Sequence, residues 1–202
     1  MRPARSLLLA GASLLLMMAP PALAEPRAPT PAAAIERGLL YAVPDGLPLA
    51  MDLAHPARTP RRGAPAVVLV HGGGFHSGAR GRMRPYLRPL AAAGFVAATI
   101  DYRLLPHAEV LDRGLEASSA FAQEDAETAI RFLRENAVRF GIDPQRIVIL
   151  GASAGGITAL NVAARATGPA RVQAAVAIAG FGPVADLDGG DPPLLMFHGT
   201  AD

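Results

Sequence analysis

The chain has 202 residues, enough for one domain with a sizeable core, and 51% of them are hydrophobic. It contains no Cys and its basic residues are all Arg, which excludes a disulfide framework, a thiolate nucleophile, a cysteine zinc site and a Ser-Lys dyad. The formal charge of +2 falls to about zero once Arg2 and Arg5 are set aside with the leader described next, so charge leaves no footprint for a nucleic-acid partner.

Residues 1–24, MRPARSLLLAGASLLLMMAPPALA, open on two Arg, run apolar over 7–19 and end on the small-x-small site Ala22-Leu23-Ala24. This is the pattern of a secretory signal peptide cleaved before Glu25, with an apolar run too short for a membrane span. The mature protein is expected to be periplasmic or secreted, without a stable membrane anchor. Residues 25–37, beginning EPRAPTPAAA, are rich in Pro and Ala and read as a flexible linker; the folded domain is expected over 38–202.

In LLYAVPDGLPLAMDLAHP, two short apolar stretches flank Pro44-Asp45-Gly46, a turn signal, which predicts a β-hairpin. Strands then alternate with helical segments. AVVLV (66–70) and FVAATI (95–100) are continuous apolar runs, and 84–93 between them has helical composition. Arg80, Arg82, Arg84 and Arg88 cluster at what reads as the solvated start of that helix. Apolar residues at 126, 129, 130, 133 and 137 mark one helical face over 125–140, stopped by Gly141 and the turn Asp143-Pro144. Strand RIVIL (146–150), a helix over 154–165, strand VQAAVAI (172–178) and a terminal strand LLMF (194–197) complete the series. Buried runs without polar alternation, separated by helices, predict the α/β class with a mostly parallel, doubly wound sheet.

Active groups of such sheets gather at the carboxyl ends of strands. Four strand ends here carry polar or glycine-rich stretches: His71-Gly72-Gly73-Gly74-Phe75, Asp101-Tyr102-Arg103, Gly151-Ala152-Ser153-Ala154-Gly155 and His198-Gly199-Thr200-Ala201-Asp202. A G-x-S-x-G between a strand and a helix makes a sharp, strained turn that lifts the Ser153 hydroxyl clear of the backbone at a helix N-terminus, as a nucleophile requires. The oxyanion it would create needs fixed donors. Three successive glycines after a strand let N–H groups turn toward one point, so the donors are expected to be Gly73, Gly74 and Ala154. A phosphate-binding reading of the glycines lacks the Lys of a Walker loop and the spacing of a dinucleotide fingerprint.

HGGGF, DYRL, DPQRIVILGASAGG and PPLLMFHGTAD, in this order, resemble the α/β-hydrolase superfamily, specifically the esterases and lipases related to hormone-sensitive lipase and the feruloyl-esterase-like carboxylesterases. The resemblance covers residues 38–202. It implies an eight-stranded hydrolase sheet, a Ser-Asp-His triad with Ser153 as nucleophile and Asp202 as acid, and hydrolysis of a small-molecule ester through an acyl-enzyme, with no metal or organic cofactor. It also implies that the last strand, the C-terminal helix and the catalytic His follow Asp202, so that the sequence reads as truncated. Asp186 and Asp188 stay open as alternative acids.

The five histidines in hand have other readings: His71 orients the glycine loop, His76 edges the pocket or the surface, His107 stands where DYRLLPH departs from the family pattern, His198 supports a turn, and His55 lies in a loop. Asp101 is expected to pair locally, with Arg103 the nearest partner, and Asp125 to sit in the first turn of a helix. Two other functions remain open: a prolyl-oligopeptidase-type serine peptidase, and a non-catalytic remnant or binding module if the chain ends at Asp202.

Overall fold

The computed structural model describes residues 34–183 and 187–200. The expected signal peptide, Asp186 and Asp202 lie outside these. Seven strands form one sheet: β1 (Ile35–Ala42), β2 (Leu49–Ala54), β3 (Ala64–Val70), β4 (Val96–Ile100), β5 (Ile142–Ala152), β6 (Ala174–Ile178) and β7 (Leu194–Phe197). Their spatial order is β1-β2-β4-β3-β5-β6-β7. β1 and β2 form the expected hairpin, β2 runs antiparallel to β4, and every pairing from β4 to β7 is parallel. A 3-10 turn at Pro44–Gly46, with Asp45 and Gly46 both at positive φ, closes the hairpin. β1 takes in Ile35–Arg37, the last three residues of the segment read as linker.

The register explains why the central strands carry no polar alternation. On β3, Ala66, Val68 and Val70 point into the larger core cluster, beneath α2 (His107–Glu135) and α4 (Ala154–Arg165). Val67 and Leu69 point the other way, into a smaller cluster with Met83, Leu87 and Ala91, the last two on α1 (Leu87–Ala92). With helices on both faces, each pleat position is buried, and a period-2 pattern has nothing to record.

The helical face expected over 125–140 is buried at all five apolar positions, but the helix carrying it starts much earlier. α2 begins at His107, is broken at Gly114 (φ 79°, ψ 164°) and ends at Glu135, and a short α3 (Ala137–Phe140) follows. Asp125 is therefore mid-helix, not in a first turn. Gly141 at φ 65° ends α3 and β5 begins at once. Among the described residues no helix is long and apolar enough to cross a membrane.

Candidate active site

β5 delivers Ser153 to the carboxyl edge of the sheet, and α4 leaves it. Between them Ser153 adopts φ 54°, ψ −122°, a conformation that costs a non-glycine residue energy and persists only where its surroundings enforce it. The enforcement is steric. A Cβ at Gly151 would collide with the Gly155 carbonyl, and one at Gly155 would collide with the Val70 carbonyl and lie 2.9 Å from that of His71. The Ser153 N–H is held by the Ile178 carbonyl at 2.8 Å, and its own carbonyl accepts from Ile157 at 3.0 Å. A serine before a helix commonly caps it with its hydroxyl. Ser153 does not; its exposed Oγ is left without a partner among the described residues.

The glycine loop crosses this turn at contact distance: a Cβ on Gly72 would stand 2.8 Å from the Ala152 carbonyl and 3.0 Å from Ser153 Cβ. Beyond it Gly73, Gly74 and Phe75 take positive φ of 137°, 59° and 63°. The Gly73 carbonyl closes the loop by accepting from the N–H groups of His76 and Ser77 (3.2 and 3.0 Å) and from the Ser77 hydroxyl (3.1 Å). Phe75, 1% exposed, anchors the loop in the core. The N–H groups of Gly73 and Gly74 donate to no described residue. Two unspent donors thus sit in the loop that lies against the unspent hydroxyl.

His71 is buried and orients this loop. Its Nδ1–H donates to the Gly72 carbonyl at 2.9 Å, which fixes the tautomer, and its ring stacks on Tyr102 at 4.3 Å. The Tyr102 hydroxyl donates to the His71 carbonyl at 3.0 Å. Burial pushes the His71 imidazole below its ordinary pKa and the Tyr102 phenol above its own, so both stay neutral.

Where the chain leaves the loop, at Arg80 and Arg84, lies an ion-pair network that the sequence reading missed. Asp52 on β2 is fully buried; its Oδ1 accepts from Arg80 Nε and the Gly38 N–H (2.9 Å each), and its Oδ2 from Arg84 Nε (2.8 Å). Burial would raise the Asp52 pKa, but the bonds from Arg80, Gly38 and Arg84 outweigh it and hold the carboxyl below the ordinary carboxylate range. Arg80 also pairs with Asp101, which accepts from the Arg80 N–H at 2.9 Å, while Thr99 Oγ1 donates to the Arg80 carbonyl at 2.8 Å. Two expectations are corrected here. Arg80 and Arg84 are tied to buried or half-buried carboxylates instead of standing solvated at a helix start. Asp101 pairs with Arg80, not Arg103. Arg103 turns to Asp125, which takes its N–H at 2.7 Å and its Nε at 3.0 Å, and to Glu124. The only sequence signal for this was an acid, Asp52, inside an apolar strand.

His76 and His107 are exposed and contact each other, ring centroids 4.3 Å apart. His55 is half-buried near Phe140, and His198 is exposed after β7. Among the described residues no imidazole hydrogen-bonds Ser153. Of the candidate acids only Asp188 is described: it is exposed and folded into a local turn, its N–H donating to Asp191 Oδ2 at 2.9 Å and its Oδ1 accepting from the Gly190 N–H at 2.6 Å. No cluster of three or more His or acidic groups fit to hold a metal occurs among the described residues. An apolar cavity of about 340 Å³, lined by Leu69, Met83, Tyr86, Leu150, Ala152 and Ile178 among others, flanks the turn on the α1 face.

A mostly parallel sheet, a strained serine between strand and helix, and a glycine loop laid against it are the architecture of an esterase-type α/β hydrolase. The BD-FAE family model matches residues 51–170, and the chain belongs to that family. It is similar to the apo form of Thermogutta terrifontis esterase 2 (27% identity, TM-score 0.69), covering 87% of this chain and 74% of the esterase. The propionate-bound form of the same esterase matches equally, at 27% identity and TM-score 0.69 over 86% and 74% of the two chains. Among curated proteins it is similar to the para-nitrobenzyl esterase of Bacillus subtilis (strain 168), 36% identical over 50% of this chain, and to the non-reducing polyketide synthase stbA of Stachybotrys bisbyi, 34% identical over 80%. The match spans 21% of the first and 7% of the second.

Proposed function

We propose that the protein is an exported serine carboxylesterase that cleaves short-chain or aryl esters through an acyl-enzyme on Ser153. The observation that carries this is the pairing of an uncapped Ser153 hydroxyl at φ 54° with the unspent N–H groups of Gly73 and Gly74 in the loop against it. Ser153 Oγ attacks the ester carbonyl as its proton passes to the general base, and the N–H groups of Gly73, Gly74 and Ala154 receive the oxyanion. The C–O bond then breaks to release the alcohol carrying that proton, and water hydrolyses the acyl-enzyme to the carboxylic acid and free Ser153. Asp202 is the proposed triad acid, and in the motif order Ser, acid, His the general base comes after the acid. The propionate-bound, butyrate-bound and paraoxon-phosphorylated forms of the T. terrifontis esterase are consistent with a short acyl site and a reactive nucleophile. Export follows from the leader, and N-terminal sequencing of the mature protein is expected to begin at Glu25.

The test is made on the full-length gene product with para-nitrophenyl acetate and butyrate. Ser153→Ala is expected to lower kcat by roughly 10⁴-fold or more, and paraoxon is expected to add a single phosphoryl adduct on the Ser153 peptide. Full activity of the Ala variant would falsify the assignment.

A further inference from the structure

We propose that the structure carries a second binding site, separate from Ser153, for a small dianionic oxyanion such as a phosphate or sulfate monoester. A cavity of about 300 Å³ lies where the start of β1 meets the segment between the glycine loop and α1; it is lined by Ile35, Arg37, Gly81, Arg84, Pro85 and Arg88. Its volume reaches the lower end of small-molecule sites. Three arginines line it, Arg37 from β1, Arg84 from the turn leading into α1 and Arg88 from the start of α1, and no acid lines it among the described residues.

The charges around it do not balance. Arg80 and Arg84 are met by Asp52 and Asp101. Arg37 and Arg88 form no ion pair or hydrogen bond with any described residue. The nearest acid in sequence, Glu36, faces Arg139 instead, at 3.4 Å. Both are exposed, and two cations lining one cavity without a counter-charge among the described residues repel each other, a repulsion that an anion of charge near −2 relieves. Arg84 supplies the fixed point. Its Nε and NH2 are bound to buried Asp52 at 2.8 and 2.6 Å, which locks the guanidinium plane, while NH1 has no acceptor among the described residues. Planar guanidinium forks match the oxygens of phosphate and sulfate. Ile35 and Pro85 leave room for a short organic body beside the charged head.

The experiment uses the full chain, with thermal unfolding and titration calorimetry at constant ionic strength and chloride as reference. Inorganic phosphate is expected to raise Tm saturably, and phenyl phosphate, which adds an apolar body, to bind more tightly. Arg37→Gln/Arg88→Gln, which leaves Arg84 and its bonds to Asp52 intact, is expected to weaken phosphate binding by about tenfold or more, with Arg37→Gln alone in between. Anionic phospholipid vesicles are expected to bind no better than neutral ones. The proposal is overturned by a phosphate response no larger than that of chloride, by unchanged affinity in the double variant, or by vesicle binding without a response to free phosphate.

Discussion

The two sides of the candidate site are held by different physics. The serine turn is built by exclusion: glycines at 151 and 155 let backbone approach backbone so closely that a single methyl group would not fit. The glycine loop opposite is built by attraction, through the bonds its Gly73 carbonyl accepts from His76 and Ser77 and through His71 and Tyr102, and the chain that leaves it is pinned at Arg80 to Asp52 and Asp101. Steric fit fails abruptly when violated, whereas a hydrogen-bonded scaffold loosens by degrees.

The largest effect that tests this contrast is expected from Gly155→Ala. Its Cβ meets only backbone, at Val70 and His71, so relief requires parting β3 from α4. A loss of about 3 kcal/mol or more in unfolding free energy, read from denaturant midpoints, is the expected outcome; a loss below about 1 kcal/mol would show that the turn is less crowded than it stands here. Asp52→Ala comes next. It strips Arg84 of its carboxylate and leaves Arg80 with Asp101 alone, but both guanidinium groups remain partly in water, so the expected cost is about 2 kcal/mol, below that of a fully buried pair. Turnover of para-nitrophenyl acetate is expected to fall with it, because Asp52 and Asp101 fix Arg80, the residue two places after Gly78 at the end of the glycine loop; equal losses in Asp52→Ala and Asp52→Asn would argue against a charge effect.

Tyr102→Phe removes one hydroxyl that donates to the His71 carbonyl. About 1 kcal/mol of stability is expected to go, with kcat reduced more than KM is raised, since the change reaches substrate only through the loop. The smallest effect is a pH dependence. His71 is held neutral, with its folded pKa below the usual 6.5. The unfolded chain therefore takes up a proton that the native state refuses, so this contribution is present above about pH 6.5 and is lost as pH falls toward the folded pKa. Asp52, also depressed, is expected to add a loss only as pH falls below its ordinary value of 3.8. Unfolding curves from pH 8 to pH 3 should show the two steps in that order, and His71→Asn should remove the first alone.

Much of this molecule was legible in its sequence because the relevant physics is local. The strands at 66–70 and 194–197, the helix at 154–165 and the hairpin at 44–46 follow from runs of apolar residues and from turn residues that constrain their own φ and ψ. The serine turn is of the same kind, since G-x-S-x-G states its steric requirement within five residues. The early start of α2 was hidden by Gly114, which breaks the regular face, and by Ser118 and Ser119, buried polar residues where a helix stripe should be apolar.

What no local pattern contained was the choice of ionic partners. Asp52 lies 28 residues from Arg80, and Asp101 lies two from Arg103 yet pairs with Arg80 at a separation of 21. Nineteen arginines offered alternatives. The sequence by itself determined the elements, their α/β class and the strained serine, because backbone sterics and hydrophobic period act over a few residues. Only the tertiary structure decided which charges meet, which carbonyl closes the glycine loop and which arginines line the cavity beside β1. Those depend on distances that exist only after β2, β4 and the glycine loop have come together.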